Sequence, residues 1–192
     1  MKALSGRLKR CKWKGCAAMF KPERTLQQVC SPACGIRLAN EKESREWTRQ
    51  AKERIKTRQD WLREAQDAFN KWVRERDNGK PCISCGEMNP PDLHGGQWDA
   101  GHFISVGSHP ELRFEEQNCH RQCKSCNGGS KFPAKQRLVT ERYEENLITL
   151  IGAEKVAWLK GPHEAKKYTI DDFKEIKARY TKLARELKRA RA

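Results

Sequence analysis

Two Cys-x-x-Cys pairs lie in the middle of the sequence, Cys82 with Cys85 and Cys123 with Cys126. Each pair can present both sulfur atoms from one tight turn, and four thiolates in two such pairs suit tetrahedral zinc. A zinc ion bound there would hold the chain between the pairs as a rigid hairpin. The spacing therefore predicts a structural zinc site that positions the side chains lying between the two pairs.

Four short motifs surround these cysteines, and they are Pro81-Cys-Ile-Ser-Cys-Gly86, Trp98-Asp-Ala-Gly-His102, Leu112-Arg-Phe114 and Asn118-x-His120-x-Gln122-Cys123-x-x-Cys126-Asn127. They resemble the zinc-stapled site of the HNH, or ββα-metal, nucleases, and the asparagine after the last cysteine resembles phage endonuclease VII. Over nearly the whole chain the sequence is similar to the NinG, or Rap, recombination proteins of lambdoid phages. The resemblance implies a treble-clef core and a structure-specific endonuclease for branched DNA such as Holliday junctions or D-loops.

Three side chains take roles from this resemblance. His102 stands at the position of the general base, and an imidazole suits that task because its ordinary pKa of about 6.5 lies near neutral pH. Asn127 matches the helix position that presents a ligand to a catalytic Mg²⁺ or Mn²⁺, and Asn118 matches the asparagine that braces the histidine-bearing loop. Two plainer interpretations stay open: a structural or zinc-bound His102, and an Asn127 that caps a helix.

One position departs from the family pattern, because Gly101 stands where many members carry Asp or His. Asp99 is the nearest carboxylate, but residues 99 and 102 of a regular strand face opposite sides. Asp99 can join His102 at a catalytic ion only if the strand bulges, and a glycine permits a bulge. His120 is the reserve metal ligand. Asp99 could instead only hydrogen-bond within the hairpin, and His120 could touch a phosphate.

A second four-cysteine set lies near the N-terminus, with the spacings Cys11-x4-Cys16 and Cys30-x3-Cys34. It predicts a second structural zinc site, either a DNA-contacting finger or a staple for folding alone. The basic residues predicted to bind DNA flank one or other cysteine set, and they are Lys9, Arg10, Lys12, Lys14, Arg121, Lys124 and Lys131. The role of the nearby Trp13, as a stacking or a core residue, is left open.

Charge divides the 192 residues into three parts. The net charge of +15 consists of +11 in residues 1–80, −3 in 81–126 and +7 in 127–192. Basic flanks attract a polyanion and an acidic centre attracts a divalent ion, which favours a nucleic-acid enzyme over the plainer alternative of a ribosome-associated or merely soluble basic protein.

Cysteine content and hydropathy predict the compartment. Nine cysteines in a chain without a signal peptide favour metal ligation in a reducing cytoplasm, that of the host cell if a phage encodes the chain. They argue against disulfides at either four-cysteine set. Cys119 belongs to neither set and is expected to be a small buried apolar group. No run of residues is apolar enough for a membrane span.

Periodicity predicts a mostly helical α+β protein. A helical run over 35–77, polar on nearly every face in 40–58, should break near Thr57–Asp60, after which an apolar stripe packs on the core. The stripe comprises Trp61, Leu62, Ala65, Phe69, Trp72 and Val73. Strands are predicted over 97–104 and 112–114, and helices from Cys123, over 133–151 and 152–159, and from Thr169 onward.

These elements are expected to form four segments. They are an N-terminal zinc finger with four cysteine ligands (1–36), a helical arm and packing helix (37–78), a zinc-stapled nuclease core (79–135) and C-terminal basic helices (136–192). The nuclease core is too small to be stabilised by a large hydrophobic interior. Flanking helices and bound metals are therefore expected to supply part of its stability.

Three functional hypotheses remain at this stage. The first is the HNH-type endodeoxyribonuclease for branched DNA, with two structural zinc ions and one catalytic Mg²⁺ or Mn²⁺. The second is a non-catalytic zinc-stapled DNA-binding accessory protein, which the glycine at position 101 favours. The third is a sequence-specific HNH nuclease of restriction or homing type. Two symmetric cuts in branched DNA also favour a homodimer, formed through the helical region 36–77.

Overall fold

The computed structural model describes residues 7–93, 95–128 and 133–191, and it is a mostly helical α+β structure with two small antiparallel sheets. In chain order the elements are β1 (Lys9–Arg10), β2 (Met19–Phe20), α1 (Pro32–Arg54), α2 (Arg58–Arg76), β3 (Trp98–His102), β4 (Cys119–Cys123), α3 (Lys124–Asn127), α4 (Pro133–Ile151), α5 (Ala153–Lys160) and α6 (Ile170–Ala190). The chain divides into two compact units, one ending at Lys56 and one beginning at Thr57. These units do not coincide with the four predicted segments, since the boundary falls inside the segment 37–78.

The first unit combines a short hairpin with a long helix. Ser31 caps α1 by accepting a hydrogen bond from the backbone nitrogen of Cys34, and Pro32 stands at the first helical turn, where its missing N–H costs nothing. Cys34 is the only buried residue of α1, and Trp47 is 71% exposed. The helix is therefore a polar arm, as its composition predicts.

The second unit is built on the packing of α2 against α6. Each helix begins with a capping box, formed by Thr57 with Asp60 in α2 and by Thr169 with Asp172 in α6. The predicted apolar stripe of α2 faces α6, and the ring of Tyr180 lies 4.9 Å from the rings of both Phe69 and Trp72. Burial of these aromatic rings supplies the main hydrophobic core of the unit.

The strands β3 and β4 form a regular antiparallel hairpin that packs on α2. Trp98 pairs with Cys123 and His102 pairs with Cys119, and every intervening residue has one partner. The prediction of a returning strand at 112–114 is wrong, because 3-10 helices occupy Pro110–Leu112 and Glu116–Asn118 and the return is β4. Leu112 and Phe114 are buried in two different hydrophobic clusters, so this stretch anchors the loop between the strands.

A second hydrophobic cluster joins that loop to the helices that follow the hairpin. Tyr143 and Leu147 of α4 pack with Val156 and Leu159 of α5 around Leu112. Cys119 is fully buried in the first cluster, as predicted for a cysteine outside both four-cysteine sets. Among the residues that the structure describes, every helix is too short or too polar to cross a bilayer.

Candidate functional site

The central four cysteines converge as their spacing predicts. The sulfur atoms of Cys82, Cys85, Cys123 and Cys126 all lie within 4.8 Å of one another. The second pair spans the junction at which β4 ends and α3 begins, so the cluster fixes both the hairpin and the short helix. Burial raises the pKa of Cys82, whereas hydrogen bonds with Ser125 and Cys126 outweigh burial at Cys123 and lower its pKa. Four sulfurs at this separation could hold one zinc ion.

The N-terminal cysteines form an equivalent cluster in the first unit. The sulfur atoms of Cys11, Cys16, Cys30 and Cys34 also lie within 4.8 Å of one another. Burial raises the pKa of the Cys11 thiol, but hydrogen bonds with the backbone of Cys30 and Trp13 outweigh it and bring that pKa to about 7. This set could hold a second zinc ion. Next to it the guanidinium of Arg37 lies 4.8 Å from the centre of the Trp13 ring, so the indole is partly covered within its own unit.

Asp99 and Asn127 meet beside the central cluster. The Nδ2 atom of Asn127 donates to Oδ2 of Asp99 at 3.0 Å, and Nζ of Lys124 contacts Oδ1 of Asp99 at 2.8 Å. All three residues lie at one end of the hairpin, because Asp99 is in β3 and the other two are in α3. A divalent cation at this place would find a carboxylate and an amide as oxygen ligands, and it would have to displace the Lys124 ammonium.

The ring of His102 lies in a more apolar environment. Its Nε2 is 3.0 Å from the carbonyl oxygen of Arg113, its Nδ1 is 3.8 Å from Sγ of Cys119, and it stacks on Phe69 with 6.2 Å between ring centres. Burial lowers the pKa of His102, so its neutral form predominates at pH 7. A carbonyl oxygen can only accept a hydrogen bond, so Nε2 carries the proton and Nδ1 carries the lone pair.

The regular register separates His102 from Asp99. Side chains alternate along β3, so Trp98, Ala100 and His102 share one face, and Asp99 and Gly101 share the other. On the first face Ala100 and His102 meet α2, whereas Trp98 packs against the central cysteines. The bulge that would bring Asp99 and His102 to one side is absent from this hairpin, in which residues 98–102 pair one to one with 119–123. The structure therefore brings Asp99 to Asn127 and leaves His102 on the opposite face.

Asn118 is fully buried and ties the loop after β3 to the start of β4. Its side-chain amide hydrogen-bonds with the backbone of Ile104 and of Leu112. These hydrogen bonds hold the loop after His102, in which no stretch is a strand.

His120, the reserve ligand, shares the hairpin face of Asp99, but its ring contacts Tyr143. Its Nδ1 is 3.4 Å from the hydroxyl of Tyr143, and that hydroxyl donates to the carbonyl oxygen of Gly101 at 2.9 Å. Burial lowers the pKa of His120 to about 4. No hydrogen bond or ion pair in the described part of the chain joins His120 to Asp99 or Asn127.

The residues predicted to contact DNA differ in accessibility. Lys9, Arg10, Lys12 and Lys14 are exposed on the first unit, Lys124 is tied to Asp99, and Lys131 lies outside the described residues. Arg121 corrects the prediction, because it is buried, donates to the carbonyl oxygens of Asp77 and Lys80, and lies 3.6 Å above the centre of the Trp98 ring. Arg121 therefore stabilises the fold and does not offer its guanidinium to a DNA phosphate.

Three residues of the site were not predicted. They are Lys124 as the ionic partner of Asp99, Tyr143 as a donor to Gly101, and Gln122, whose side chain covers Gly101. Gln122 is the cross-strand partner of Asp99 in the observed register. The prediction that 112–114 forms the return strand excluded this pairing. Tyr143 gave no signal beyond the helical spacing of its neighbours.

The fold and the site define a class: a basic, mostly helical α+β protein with two four-cysteine clusters, each able to hold a zinc ion. The family model described as "Bacteriophage Lambda NinG protein" matches residues 5–190, and the chain belongs to this family. It is 35% identical to protein ninG of Escherichia phage lambda, over 96% of this chain and 95% of that protein. It is 34% identical to protein ninG of Salmonella phage P22, over 96% of each chain. No solved structure matches the chain.

Proposed function

We propose that this protein is a metal-dependent DNA endonuclease with an HNH-type, treble-clef core, acting on branched recombination intermediates. The observation that carries the proposal is the contact between Asp99 and Asn127, which joins the only carboxylate of β3 to the last residue of α3 beside the central cysteine cluster. The preference for branched DNA rests on the resemblance of the sequence alone.

Asp99 and Asn127 would hold the catalytic Mg²⁺ or Mn²⁺, and Lys124 would exchange its carboxylate contact for a DNA phosphate. When bound, such an ion neutralises charge that develops on the phosphate and the leaving oxygen. The donor set fits a hard cation that keeps several of its waters, because it contributes two oxygen-bearing side chains. Rotation of the Asn127 amide would turn its oxygen, in place of its nitrogen, toward the ion.

His102 is the proposed general base. Its Nε2 contacts the Arg113 carbonyl and its lowered pKa keeps the ring neutral. Nδ1 would then accept the proton of a water molecule, and that water would have to replace the contact of Nδ1 with Sγ of Cys119. Asp99 and His102 leave opposite faces of β3. A single phosphodiester could therefore meet both side chains only if the DNA backbone lay along the edge of the hairpin, between its two faces.

Charge supports DNA as the substrate. The chain carries a formal net charge of +15, and the exposed basic residues of α6 include Lys182, Arg185, Lys188 and Arg189. Phosphate contacts from such residues supply affinity without sequence preference, which suits an enzyme that recognises the shape of its substrate.

A second candidate function is a non-catalytic, zinc-stapled DNA-binding protein. The separation of His102 and Asp99 onto opposite faces of an unbulged strand favours it, as does the Lys124 ammonium on the Asp99 carboxylate. Such a protein would use the same basic surfaces and would need no catalytic ion.

One experiment separates these functions. The zinc-loaded protein is incubated with an end-labelled four-way junction, and with a linear duplex of the same sequence, in Mg²⁺, Mn²⁺ or EDTA. The endonuclease is expected to cut the junction only with a divalent ion, and His102→Ala to bind the junction while losing cleavage. His109→Ala, which changes a partly exposed histidine paired with Glu111, is the matched control and should cut normally. Binding without cutting in every metal would establish the non-catalytic function, and cutting of the linear duplex would indicate a sequence-specific nuclease.

A homodimer is a further part of the proposal, because symmetric cuts across a junction need two active sites. Light scattering of the protein with and without a four-way junction tests it, and a mass of one chain in both states would exclude the dimer.

A further inference from the structure

The β1–β2 hairpin of the first unit has two faces of different character. Arg10 of β1 pairs with Met19 of β2, and the next residue, Cys11, donates its backbone N–H to the carbonyl oxygen of Ala18 at 2.9 Å. Side chains alternate along each strand and cross-strand partners share a face, so Arg10 and Met19 lie on the face opposite to Cys11. Cys11 is buried and belongs to the N-terminal cluster. The inner face therefore covers the cluster, and the outer face carries Arg10 and Met19.

Four exposed side chains make up this outer face, and they are Leu8, Arg10, Met19 and Lys21. Continuing the register by one residue places Leu8 opposite Lys21, on the side of Arg10 and Met19. Leu8 is 61% exposed and Met19 is 57% exposed, and both cations are exposed as well. The cations lie on one diagonal of the outer face and the apolar side chains on the other, about 7–8 Å apart along each diagonal. The outer face can thus contact charge and apolar surface in one place.

The charge of the surrounding sequence favours a polyanion as the partner. Residues 7–31 contain seven Lys or Arg residues and one acidic residue, Glu23, a formal net charge of +6. A zinc ion with four thiolates would carry −2 and reduce this charge to +4. With a single carboxylate in the range, most of these cations have no acidic neighbour in sequence. Nucleic-acid phosphates are the complementary partner for such a surface.

Trp13, the aromatic residue nearest to this hairpin in sequence, is already engaged within the unit. The guanidinium of Arg37 lies 4.8 Å from the centre of its ring. An ideal Cβ atom at Gly15 would lie 2.4 Å from Cζ2 of Trp13, so the indole packs directly on the backbone of Gly15. Apolar contact between the hairpin and a nucleic acid therefore falls to Leu8 and Met19.

Apolar side chains of this kind select unpaired bases over a regular duplex. In a duplex the base faces are stacked, and an apolar side chain enters only by separating a step at a cost of about a few kcal/mol. Bases that are unpaired at a branch point present their faces without that cost. Cations bind the phosphates of any DNA, so the preference would reside in Leu8 and Met19.

We propose that the outer face binds unpaired DNA bases, with Leu8 and Met19 against the base faces and Arg10 and Lys21 on the flanking phosphates. The inference rests on the proposed function for DNA as the partner, and it names the feature of branched DNA that the first unit recognises. It requires no catalytic ion, so it applies whether or not the protein cuts its substrate.

Fluorescence anisotropy of the zinc-loaded full chain with two labelled DNAs tests the proposal, one a duplex and the other the same duplex with a run of unpaired thymines in one strand. Replacement of both Leu8→Thr and Met19→Thr keeps the strand propensity of the hairpin. The double variant is expected to lose about 10-fold in affinity for the bulged DNA and less than about twofold for the duplex. Ile55→Thr is the control, because Ile55 is 79% exposed at the end of α1, and it should leave both affinities within about twofold.

Two further variants separate charge from apolar contact. Arg10→Gln with Lys21→Gln should weaken binding to both DNAs by the same factor and reduce the slope of log K against log salt by up to about 2. Arg49→Gln is the control for charge, because Glu46 already pairs with Arg49 at 3.0 Å. Met19→Trp should tighten binding to the bulged DNA alone, by about 5-fold, because an indole stacks on a base.

The outcomes distinguish this inference from the proposed function. Equal losses on both DNAs in the Leu8→Thr, Met19→Thr variant, or no loss on either, would overturn the role of the outer face and leave DNA as the partner. Unchanged binding of bulged DNA together with loss of self-association in light scattering would instead assign the outer face to a second copy of the chain. If the natural protein binds neither DNA, the substrate of the proposed function falls and this inference falls with it.

Discussion

The side chain of Asn118 hydrogen-bonds with both backbone groups of Ile104. Its Oδ1 accepts from the Ile104 nitrogen at 2.8 Å and its Nδ2 donates to the Ile104 carbonyl oxygen at 3.0 Å. The same Nδ2 lies 3.2 Å from the carbonyl oxygen of Leu112. One amide therefore substitutes for the strand pairing that the irregular loop after His102 lacks.

Replacement of Asn118 is expected to destabilise the second unit. Asn118→Asp keeps an acceptor for the Ile104 nitrogen but loses the donor to two carbonyl oxygens and buries a charge, so we expect a loss of about 2–4 kcal/mol in the free energy of unfolding. Urea unfolding of the zinc-loaded protein measures it. Asn146→Ala is the control, because Asn146 is exposed and makes one hydrogen bond to Ile83, and it should cost less than about 1 kcal/mol. Equal stability of Asn118→Asp and the natural protein would contradict the bracing role.

The two cysteine clusters predict two zinc ions per chain with separate structural effects. Cys123→Ser should lower the zinc content to one and disrupt the β3–β4 hairpin, because Cys123 belongs to both the cluster and the strand. Cys30→Ser should also lose one zinc but leave the unfolding of the second unit unchanged. Elemental analysis and near-ultraviolet circular dichroism measure the two effects. Cys119→Ala, which removes the cysteine outside both clusters, should retain two zinc ions, and loss of metal from it would contradict the assignment.

The buried His120 makes the folded state sensitive to acid. Its pKa of about 4 lies below the ordinary value of 6.5, so the unfolded chain takes up a proton first as the pH falls. The contribution of His120 is complete above pH 6.5 and is lost between pH 6.5 and 4, which amounts to about 2 kcal/mol on moving from pH 7.5 to 5. The lowered pKa of His102 acts in the same direction.

Urea unfolding at pH 7.5 and pH 5 measures this effect in the natural protein and in His120→Gln. The variant should lose less stability over the same interval, and zinc release cancels in the comparison because both proteins carry the same cysteines. Burial raises the pKa of Asp77, but Arg76 and Lys80 outweigh it and hold that pKa below its ordinary value of 3.8, so Asp77 contributes to acid sensitivity only at still lower pH. Equal losses in the two proteins would show that His120 is not responsible.

The basic surface of α6 is expected to contribute to DNA affinity and to its dependence on salt. Arg185 and Lys188 are exposed, and replacing both with Gln should weaken binding to any DNA and reduce the slope of log K against log salt by up to about 2. Lys174 and Lys177 are a matched control pair on the same helix, because Asp171 and Glu64 already neutralise them, and their replacement should alter the slope less. Fluorescence anisotropy between about 50 and 200 mM salt measures the slopes, a range over which phosphate contacts change affinity strongly. Identical slopes in all proteins would assign the basic face to another role, such as self-association.

The helices and the cysteine clusters could be predicted from local pattern. The break at Thr57 is confirmed because a threonine followed three residues later by aspartate forms a capping box, and the stripe from Trp61 to Val73 is confirmed because helical spacing puts it on one face. The four sulfurs of each set converge as their spacing indicates. In each case the information lies within a few residues of the feature.

The hairpin was predicted less well, because its register depends on distant residues. Leu112 and Phe114 have the apolar alternation of a strand, but two separate clusters bury them. Arg121 looks like a surface cation in sequence, and it is buried because Asp77 and Trp98 lie beside it in the folded chain. The contact of Gln122 with Gly101 likewise follows only once β4 is placed beside β3.

The pairing of α2 with α6 has a consequence for biosynthesis. The whole of the candidate site, from Cys82 to Asn127, lies in the sequence between these two helices. A ribosome therefore completes both central Cys-x-x-Cys pairs before it has made α6, the helix that covers Phe69 and Trp72. During that interval the aromatic face of α2 is not yet covered by α6. Metal bound by the two Cys-x-x-Cys pairs would be the earliest long-range link in the second unit. Zinc supply during translation would then govern the yield of correctly folded chains.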